Sequence, residues 1–200
     1  NETALEQRDP AANVTTLSGD IGIAGDKSDN SYHVVAAIET DNTAILDGFT
    51  ITGGNANDTA SSQHDDGGGI YINKGNPGLH NMIMTGNQAR FGGGIYVSHT
   101  EGNDLAIDLI LTNVIFRDNS VSGEGGGMAT LFQPDLSSAS FRLSLTDVIF
   151  ENNTAVRTGG GLINNGPALE LVNVTFRGNT AGGGGGLSNI IYKPSTLTNV

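Results

Sequence analysis

Two short acidic clusters hold the residue types best suited to chemistry. "HDD" contains His64, Asp65 and Asp66, and "DKSDN" contains Asp26 and Asp29. Oxygen ligands at such short spacing suit Ca²⁺, although neither cluster matches a full Ca²⁺-loop consensus. At each cluster the sequence therefore allows two interpretations, a Ca²⁺ site or a solvated loop, and it indicates no other cofactor.

Two insertions, near residues 99–108 and 131–139, supply the remaining binding candidates. Both follow a glycine-rich run in successive repeats, so they should emerge at the same corner of the fold. Loops on a rigid scaffold are where binding residues concentrate. A ligand-binding patch at this corner would use Glu101, Asp104, Phe132 and Asp135. The alternative is that the insertions are surface decoration.

The elements that position these residues follow a repeat of an aromatic residue, an asparagine and a glycine run. The asparagines are Asn87, Asn119, Asn153 and Asn179, and the glycine runs start at residues 67, 92, 125, 159 and 184. The glycine intervals of 25, 33, 34 and 25 indicate a basic unit of about 25 residues with two insertions. A period of this size is typical of solenoids, propellers and arrays.

The pattern inside each unit predicts strands. Large aliphatic residues recur at every second position at Leu105, Ile107, Leu109 and Leu111, which is the period of a strand. Val114 and Phe116 are out of register with them. A bend at Asn113 would restore the inward face, and the equivalent bends fall at Asn81, Asp147 and Asn173. Each unit thus reads as a strand, a bend, a strand, a turn and a third strand that begins with glycine.

Three short strands in about 25 residues predict an all-β fold, a parallel β-helix. Leucine-rich repeats require their own consensus, and a propeller blade requires about 40 residues, so both fit less well. Residues 1–43 lack the repeat and are predicted to form an irregular N-terminal coil or cap. Residues 44–200 are predicted to be β-helix repeats that stop inside a further coil.

Stacked columns give most of the repeated residues structural roles. Phe116, Phe150 and Phe176 are predicted to stack in the core. Asparagines stacked in successive turns can hydrogen-bond to one another and tolerate left-handed backbone conformations. Two structural ladders are therefore predicted, at the bends (Asn81, Asn113, Asp147, Asn173) and at the turns (Asn87, Asn119, Asn153, Asn179).

Charged columns provide no catalytic residues. Arg117, Glu151 and Arg177 fall in one column, and Asp108 and Arg142 in another. These are opposite charges on neighbouring turns, typical of surface pairs. No repeat column places two carboxylates side by side, as a glycosidase would need.

The repeat motifs resemble those of chlamydial polymorphic outer membrane proteins. F-x-x-N occurs at Phe116/Asn119, Phe150/Asn153 and Phe176/Asn179, and G-G followed by an aliphatic residue ends at Ile95, Met128, Leu162 and Leu187. The resemblance covers roughly residues 44–200 and extends to right-handed β-helix repeats of other bacterial surface and secreted proteins. It implies that the predicted parallel β-helix is single-stranded, right-handed and of the pectate-lyase-like type. It implies an extracellular or cell-surface location, but similar helices carry both adhesins and polysaccharide lyases.

The composition of the chain limits the classes of partner that it can bind. Acidic residues number 21 and basic residues nine, for a net charge of −12, so the chain is a poor binder of nucleic acid. Cysteine is absent, and no apolar run is long enough for a membrane helix.

The leading hypothesis is therefore a non-enzymatic, adhesin-like β-helical segment that presents corner loops to glycans, to surface proteins or to other copies of itself. The alternative is a polysaccharide lyase or glycoside hydrolase whose active site lies in the insertions or in coils outside this sequence.

Overall fold

The protein is an all-β chain of stacked parallel strands. The computed structural model describes residues 9–10, 12–58, 64–99, 107–132, 141–166, 168–190 and 194–200. Within these ranges every strand pairing is parallel, and the helical content is one 3-10 turn, Lys27–Asp29. The prediction of an all-β fold with stacked parallel strands is confirmed, and the architecture is that of a parallel β-helix or solenoid.

Three sheets run along the solenoid. Sheet A contains ten strands, and its bounds are β1 Thr15–Ser18, β3 Ile45–Asp47, β4 Phe49–Thr52, β6 Gly78–Thr85, β9 Ile107–Arg117, β12 Phe141–Thr146, β13 Ile149–Glu151, β16 Ala168–Val172, β17 Thr175–Arg177 and β19 Ser195–Thr198. Sheet B contains six, namely β2 Val35–Ile38, β5 Ile70–Asn73, β8 Ile95–His99, β11 Met128–Phe132, β15 Leu162–Asn165 and β18 Leu187–Ile190. Sheet C contains β7 Gln88–Ala89, β10 Ser120–Val121 and β14 Thr154–Ala155. We call the chain between one sheet B strand and the next a coil.

Sheet C is an element that the sequence analysis treats only as a turn. Its strands follow the turn asparagines, and they pair in register, with Gln88 opposite Ser120 and Ser120 opposite Thr154. Two-residue strands are too short to give a period-two signal, because at least four residues are needed to see the alternation.

The N-terminal strands join the same sheets as the later ones. β1 pairs with β4 in sheet A, and β2 pairs with β5 in sheet B. Both pairings are parallel, so these strands continue the stacking of the coils that follow.

Among the described residues no helix is long and apolar enough to cross a membrane.

Sheet A reverses its side-chain alternation at one left-handed residue per coil. Asn81, Asn113, Asp147 and Asn173 all have φ between 54° and 56°. Leu111 on one side of Asn113 and Val114 and Phe116 on the other are all fully buried. A single left-handed residue thus turns both halves of the strand toward the same core.

The core is built from columns of identical or similar side chains. The Phe116 and Phe150 rings stack with centroids 4.7 Å apart, and Phe150 and Phe176 with centroids 5.0 Å apart. These spacings match the distance of about 4.8 Å between hydrogen-bonded strands. Each ring therefore packs face to face on the ring of the next coil.

The glycine runs and the phenylalanine stack depend on each other. A Cβ atom added at Gly127 would lie 2.7 Å from the Gly161 carbonyl oxygen and 2.8 Å from Cδ1 of Phe150. Gly94 has the same relation to Phe116, where the added atom would lie 2.7 Å from Cδ1. In the runs that start at residues 92, 125 and 159, the third glycine thus leaves the space that the phenylalanine ring of the following coil fills.

Candidate functional site

The predicted recognition patch falls largely outside the described part of the chain. Glu101, Asp104 and Asp135 lie in the ranges 100–106 and 133–140, which are outside the described residues. Phe132 ends β11 and is described by its backbone alone. The patch remains a prediction.

The first predicted cation loop is organised by its own backbone. Asp26 caps the 3-10 turn, because its Oδ1 accepts hydrogen bonds from the Ser28 backbone N–H at 2.9 Å and from the Ser28 hydroxyl at 2.7 Å. These bonds hold the pKa of Asp26 below its usual value. Asp29 Oδ2 accepts from the Ile23 N–H at 2.8 Å. Each carboxylate thus closes a local turn.

The second predicted cation loop contributes two buried carboxylates that meet an arginine from the next coil. Asp65 and Asp66 are 3% and 2% exposed. Arg90 Nε lies 3.0 Å from Asp65 Oδ2 and 3.2 Å from Asp66 Oδ1, and Nη2 donates to Asp66 Oδ2 at 3.2 Å. We call Asp65, Asp66 and Arg90 the acid–arginine cluster. Within the described ranges no group of three or more His, Asp or Glu side chains is arranged to hold a metal ion.

His64 points away from this cluster. Its Nδ1 lies 3.5 Å from Asp58 Oδ2, and its ring stacks on Tyr32 with centroids 4.8 Å apart. His64 therefore does not join Asp65 and Asp66 in one set of ligands.

Burial controls the ionisation of the acid–arginine cluster. Removal from water raises the pKa of Asp66 to about 6, and the neighbouring Asp65 charge adds to the rise, while Arg90 opposes it. Burial also raises the pKa of Tyr96 and of Tyr71, with the charge of Asp66 acting in the same direction. The cluster thus contains a carboxyl group that holds its proton up to nearly neutral pH.

A groove lies beside the cluster, over sheet C. It is open to solvent and has a volume of about 370 Å³, and Asp65 and Arg90 form part of its lining. Its apolar lining comes from small residues of successive coils, and its polar lining from amides and hydroxyls. The apolar residues are Ala56, Ala89 and Val121, and the polar ones are Asn55, Asn57, Gln88, Ser120 and Ser122. The site thus combines a mixed polar and apolar wall with one charged end.

The turn asparagines form a continuous inner ladder of hydrogen bonds. Asn87 donates from its backbone N and from Nδ2 to Asn119 Oδ1, both at 3.1 Å. Asn119 donates in the same way to Asn153 Oδ1, and Asn153 to Asn179 Oδ1. Asn87, Asn119 and Asn153 are fully buried. These amides are saturated by protein partners, so they offer little to a ligand.

The bend asparagines form an outer ladder that is exposed and interrupted. Asn81 Nδ2 donates to Asp47 Oδ1 at 2.8 Å, and Asn113 Nδ2 to Asn81 Oδ1 at 2.7 Å. Asn173 Nδ2 donates to Asp147 Oδ1 at 3.0 Å. Because a carboxylate has no N–H, Asp147 cannot donate to Asn113, and the series is broken there.

The charged columns contain surface ion pairs. Arg177 Nη2 lies 3.0 Å from Glu151 Oε2, as the column predicts. Arg142 stands opposite Asp108 in the register, but its ion pair is with Glu170, at 3.2 Å. Side chains this exposed contribute about 0–1 kcal/mol per pair.

Arg90 and the groove are functional features that the repeat pattern does not predict. The bridge between Asp66 and Phe91 places "DD" directly beside "RF" of the next coil. Both dipeptides immediately precede a glycine run, so aligning the residues before each run would have stacked Asp65 on Arg90. The groove has no such signal, because its lining comes from three coils and from residues of ordinary type.

Comparison with known proteins yields one partial similarity. No family profile and no solved structure matches the chain. Over 80 residues the chain is 39% identical to the probable autotransporter YfaL of Escherichia coli (strain K12). The match covers 38% of this chain and 6% of that protein, so the chain spans a small part of the relative's length.

Proposed function

We propose that this chain is a structural, adhesin-like segment of a bacterial cell-surface or secreted protein, folded as a right-handed parallel β-helix with basic coils of about 25 residues. The observation that carries the proposal is the uninterrupted parallel stacking in sheet A from β1 to β19 and in sheet B from β2 to β18. Such stacking builds a long, stiff body in which each coil contacts only its neighbours. The partial similarity to a probable autotransporter supports an extracellular location.

The surface of the stack supports binding rather than catalysis as the main role. The repeated outward columns carry opposite charges that pair with each other, as Arg177 does with Glu151 and Arg142 with Glu170. Paired charges on a regular sheet leave no activated group. The sites for glycans or surface proteins would then be corner loops and grooves, where residues differ from coil to coil.

Surface location can be tested on the bacterium that encodes the chain. Antibodies raised against the 200-residue chain should stain intact cells or detect the chain in the culture medium. External protease should remove the cell-bound signal. A cytoplasmic protein serves as the control and should stain only after permeabilisation. Staining of this chain that also requires permeabilisation would contradict the proposal.

A polysaccharide lyase or glycoside hydrolase is the second candidate, and the acid–arginine cluster favours it. Asp66 has a pKa raised to about 6, which suits a proton donor near neutral pH, and it adjoins a groove. The chain should be assayed against acidic and neutral polysaccharides with and without Ca²⁺, following reducing ends and unsaturated products. Cleavage that is lost in Asp66→Asn and Arg90→Gln variants would establish the enzyme and refute the leading proposal.

A further inference from the structure

The groove over sheet C has the composition of a site for a hydroxylated ligand. Amide and hydroxyl side chains, such as Asn57, Gln88, Ser120 and Ser122, can each donate and accept hydrogen bonds. The small apolar residues between them leave room for the ligand's carbon skeleton. A volume of about 370 Å³ lies in the range of small-molecule sites.

One residue that lines this groove has a buried side-chain oxygen without a hydrogen-bond partner from the described residues. Asp65 lines the groove and its side chain is 5% exposed, yet its Oδ1 accepts no hydrogen bond from the protein. An unpaired buried acceptor is costly, so such atoms call for a donor from outside. Because Oδ1 is buried, a ligand hydroxyl reaches it only after Asp65 turns about its terminal torsion, which has a broad range. Arg90 stays bound to Asp66 through two hydrogen bonds when Asp65 turns.

We infer that the groove binds a neutral oligosaccharide, and that Asp65 accepts a hydrogen bond from one of its hydroxyl groups. This inference deepens the proposed function, on which it rests, by naming a site and a ligand class. Because coils repeat about every 4.8 Å, an elongated ligand lying along the stack would meet a new row of polar groups at each coil. Gln88 and Ser120, which pair in adjacent strands, supply two such rows.

Charge favours a neutral ligand over an anionic one. The free acceptor is a carboxylate, and the chain carries a net charge of −12, so both repel carboxylated or sulfated sugars. The guanidinium of Arg90 is already occupied by Asp66, to which it donates two hydrogen bonds. A cation as the occupant is disfavoured because the described residues offer no group of three acidic or imidazole ligands.

The test is titration calorimetry of the 200-residue chain with cellohexaose, mannohexaose and, as the anionic probe, hexagalacturonate. At least one neutral hexasaccharide should bind at one site per chain. Asp65→Ala should weaken that binding at least about tenfold, because a charge-assisted hydrogen bond is lost. Ser122→Trp should abolish it by filling the groove from an exposed position. Thr175→Trp, an equally exposed change on sheet A, is the matched control and should leave the affinity unchanged.

The circular dichroism spectrum should be the same for all variants. If Asp65→Ala fails to fold, Ser122→Trp still tests whether the groove binds the ligand. The inference is overturned if neither neutral hexasaccharide binds, if hexagalacturonate binds more tightly, or if Ser122→Trp binds as well as the unmodified chain. Failure of binding together with surface staining of intact cells would refute the groove alone and leave the proposed function standing.

Discussion

Replacement of Asn119 by alanine should remove a large part of the chain's stability. The Asn119 side chain is fully buried and makes four hydrogen bonds. Nδ2 donates to the Met84 carbonyl at 2.9 Å and to Asn153 Oδ1 at 3.0 Å, while Oδ1 accepts from the backbone N and Nδ2 of Asn87. Both N–H groups and both lone pairs of the Asn119 amide are thus used.

The size of the stability loss follows from the hydrogen-bonding groups that alanine would leave without a partner. Asn87 Nδ2 keeps its bond to the Ile51 carbonyl, and Asn153 Oδ1 keeps its bond from the Asn119 backbone N. The Asn87 N–H is left without a partner, whereas the Met84 carbonyl, which lies in the ladder between β6 and β9, loses one of the hydrogen bonds it can accept. An unsatisfied buried group costs about 1–3 kcal/mol and a lost hydrogen bond about 0.5–1.5 kcal/mol, so we expect a loss of about 1.5–4.5 kcal/mol in the free energy of unfolding.

Urea denaturation followed by circular dichroism measures this loss, provided that the dependence on urea is compared as well. Repeat arrays can unfold in sections, and a changed slope would reveal that behaviour. Asn113→Gly is the control, because Asn113 is exposed with φ of 55°, which glycine adopts without strain. A loss below about 1 kcal/mol for Asn119→Ala with an unchanged slope would refute the view that the inner ladder is a main source of stability.

Two further changes test the core and the acid–arginine cluster. Gly127→Ala should destabilise the chain by about 1–3 kcal/mol in the same assay, because the added methyl group meets Phe150 and a backbone oxygen. Gly183→Ala is its control, since the nearest atom would be Thr158 Cγ2 at 3.4 Å, and a loss equal to that of Gly127→Ala would exclude crowding as the cause. The pKa of Asp66 is raised from 3.8 to about 6 in the folded chain, so the stability linked to its proton is complete below about pH 4 and declines as pH rises through 6. The difference in unfolding free energy between the native chain and Asp66→Asn should therefore change between about pH 4 and 7, and a constant difference across that range would contradict the assignment.

The repeat made the architecture predictable, because side chains that recur at fixed offsets must stack if the strands are parallel. Phe116 and Phe150 could be assigned to one column from sequence alone, and they pair in register in the structure. Cross-coil contacts between residues outside the repeat were harder to predict. Asp65 meets Arg90 because a bridge aligns two irregular dipeptides, and hydrophobic periodicity carries no information about such a contact.

The charge column predicted the register of Arg142 but not its ion-pair partner. Arg142 had Asp108 on one side and Glu170 on a neighbouring strand within reach, and a column of charges cannot tell which long, exposed side chain an arginine selects. The groove is empty space between coils, and it exists because Ala56, Ala89 and Val121 have small side chains. A pattern read along one chain does not show empty space shared by three coils.

The inner ladder separates the geometry of the stack from the length of the chain. Its consecutive asparagines are 32, 34 and 26 residues apart, yet the backbone N to Oδ1 distances stay between 3.0 and 3.1 Å. The extra residues of the longer coils leave the asparagine hydrogen bonds unchanged, because each asparagine contacts only the coil above and the coil below it. Loops could therefore be lengthened, shortened or exchanged at the corners during evolution, or grafted by design, without resetting the scaffold that displays them.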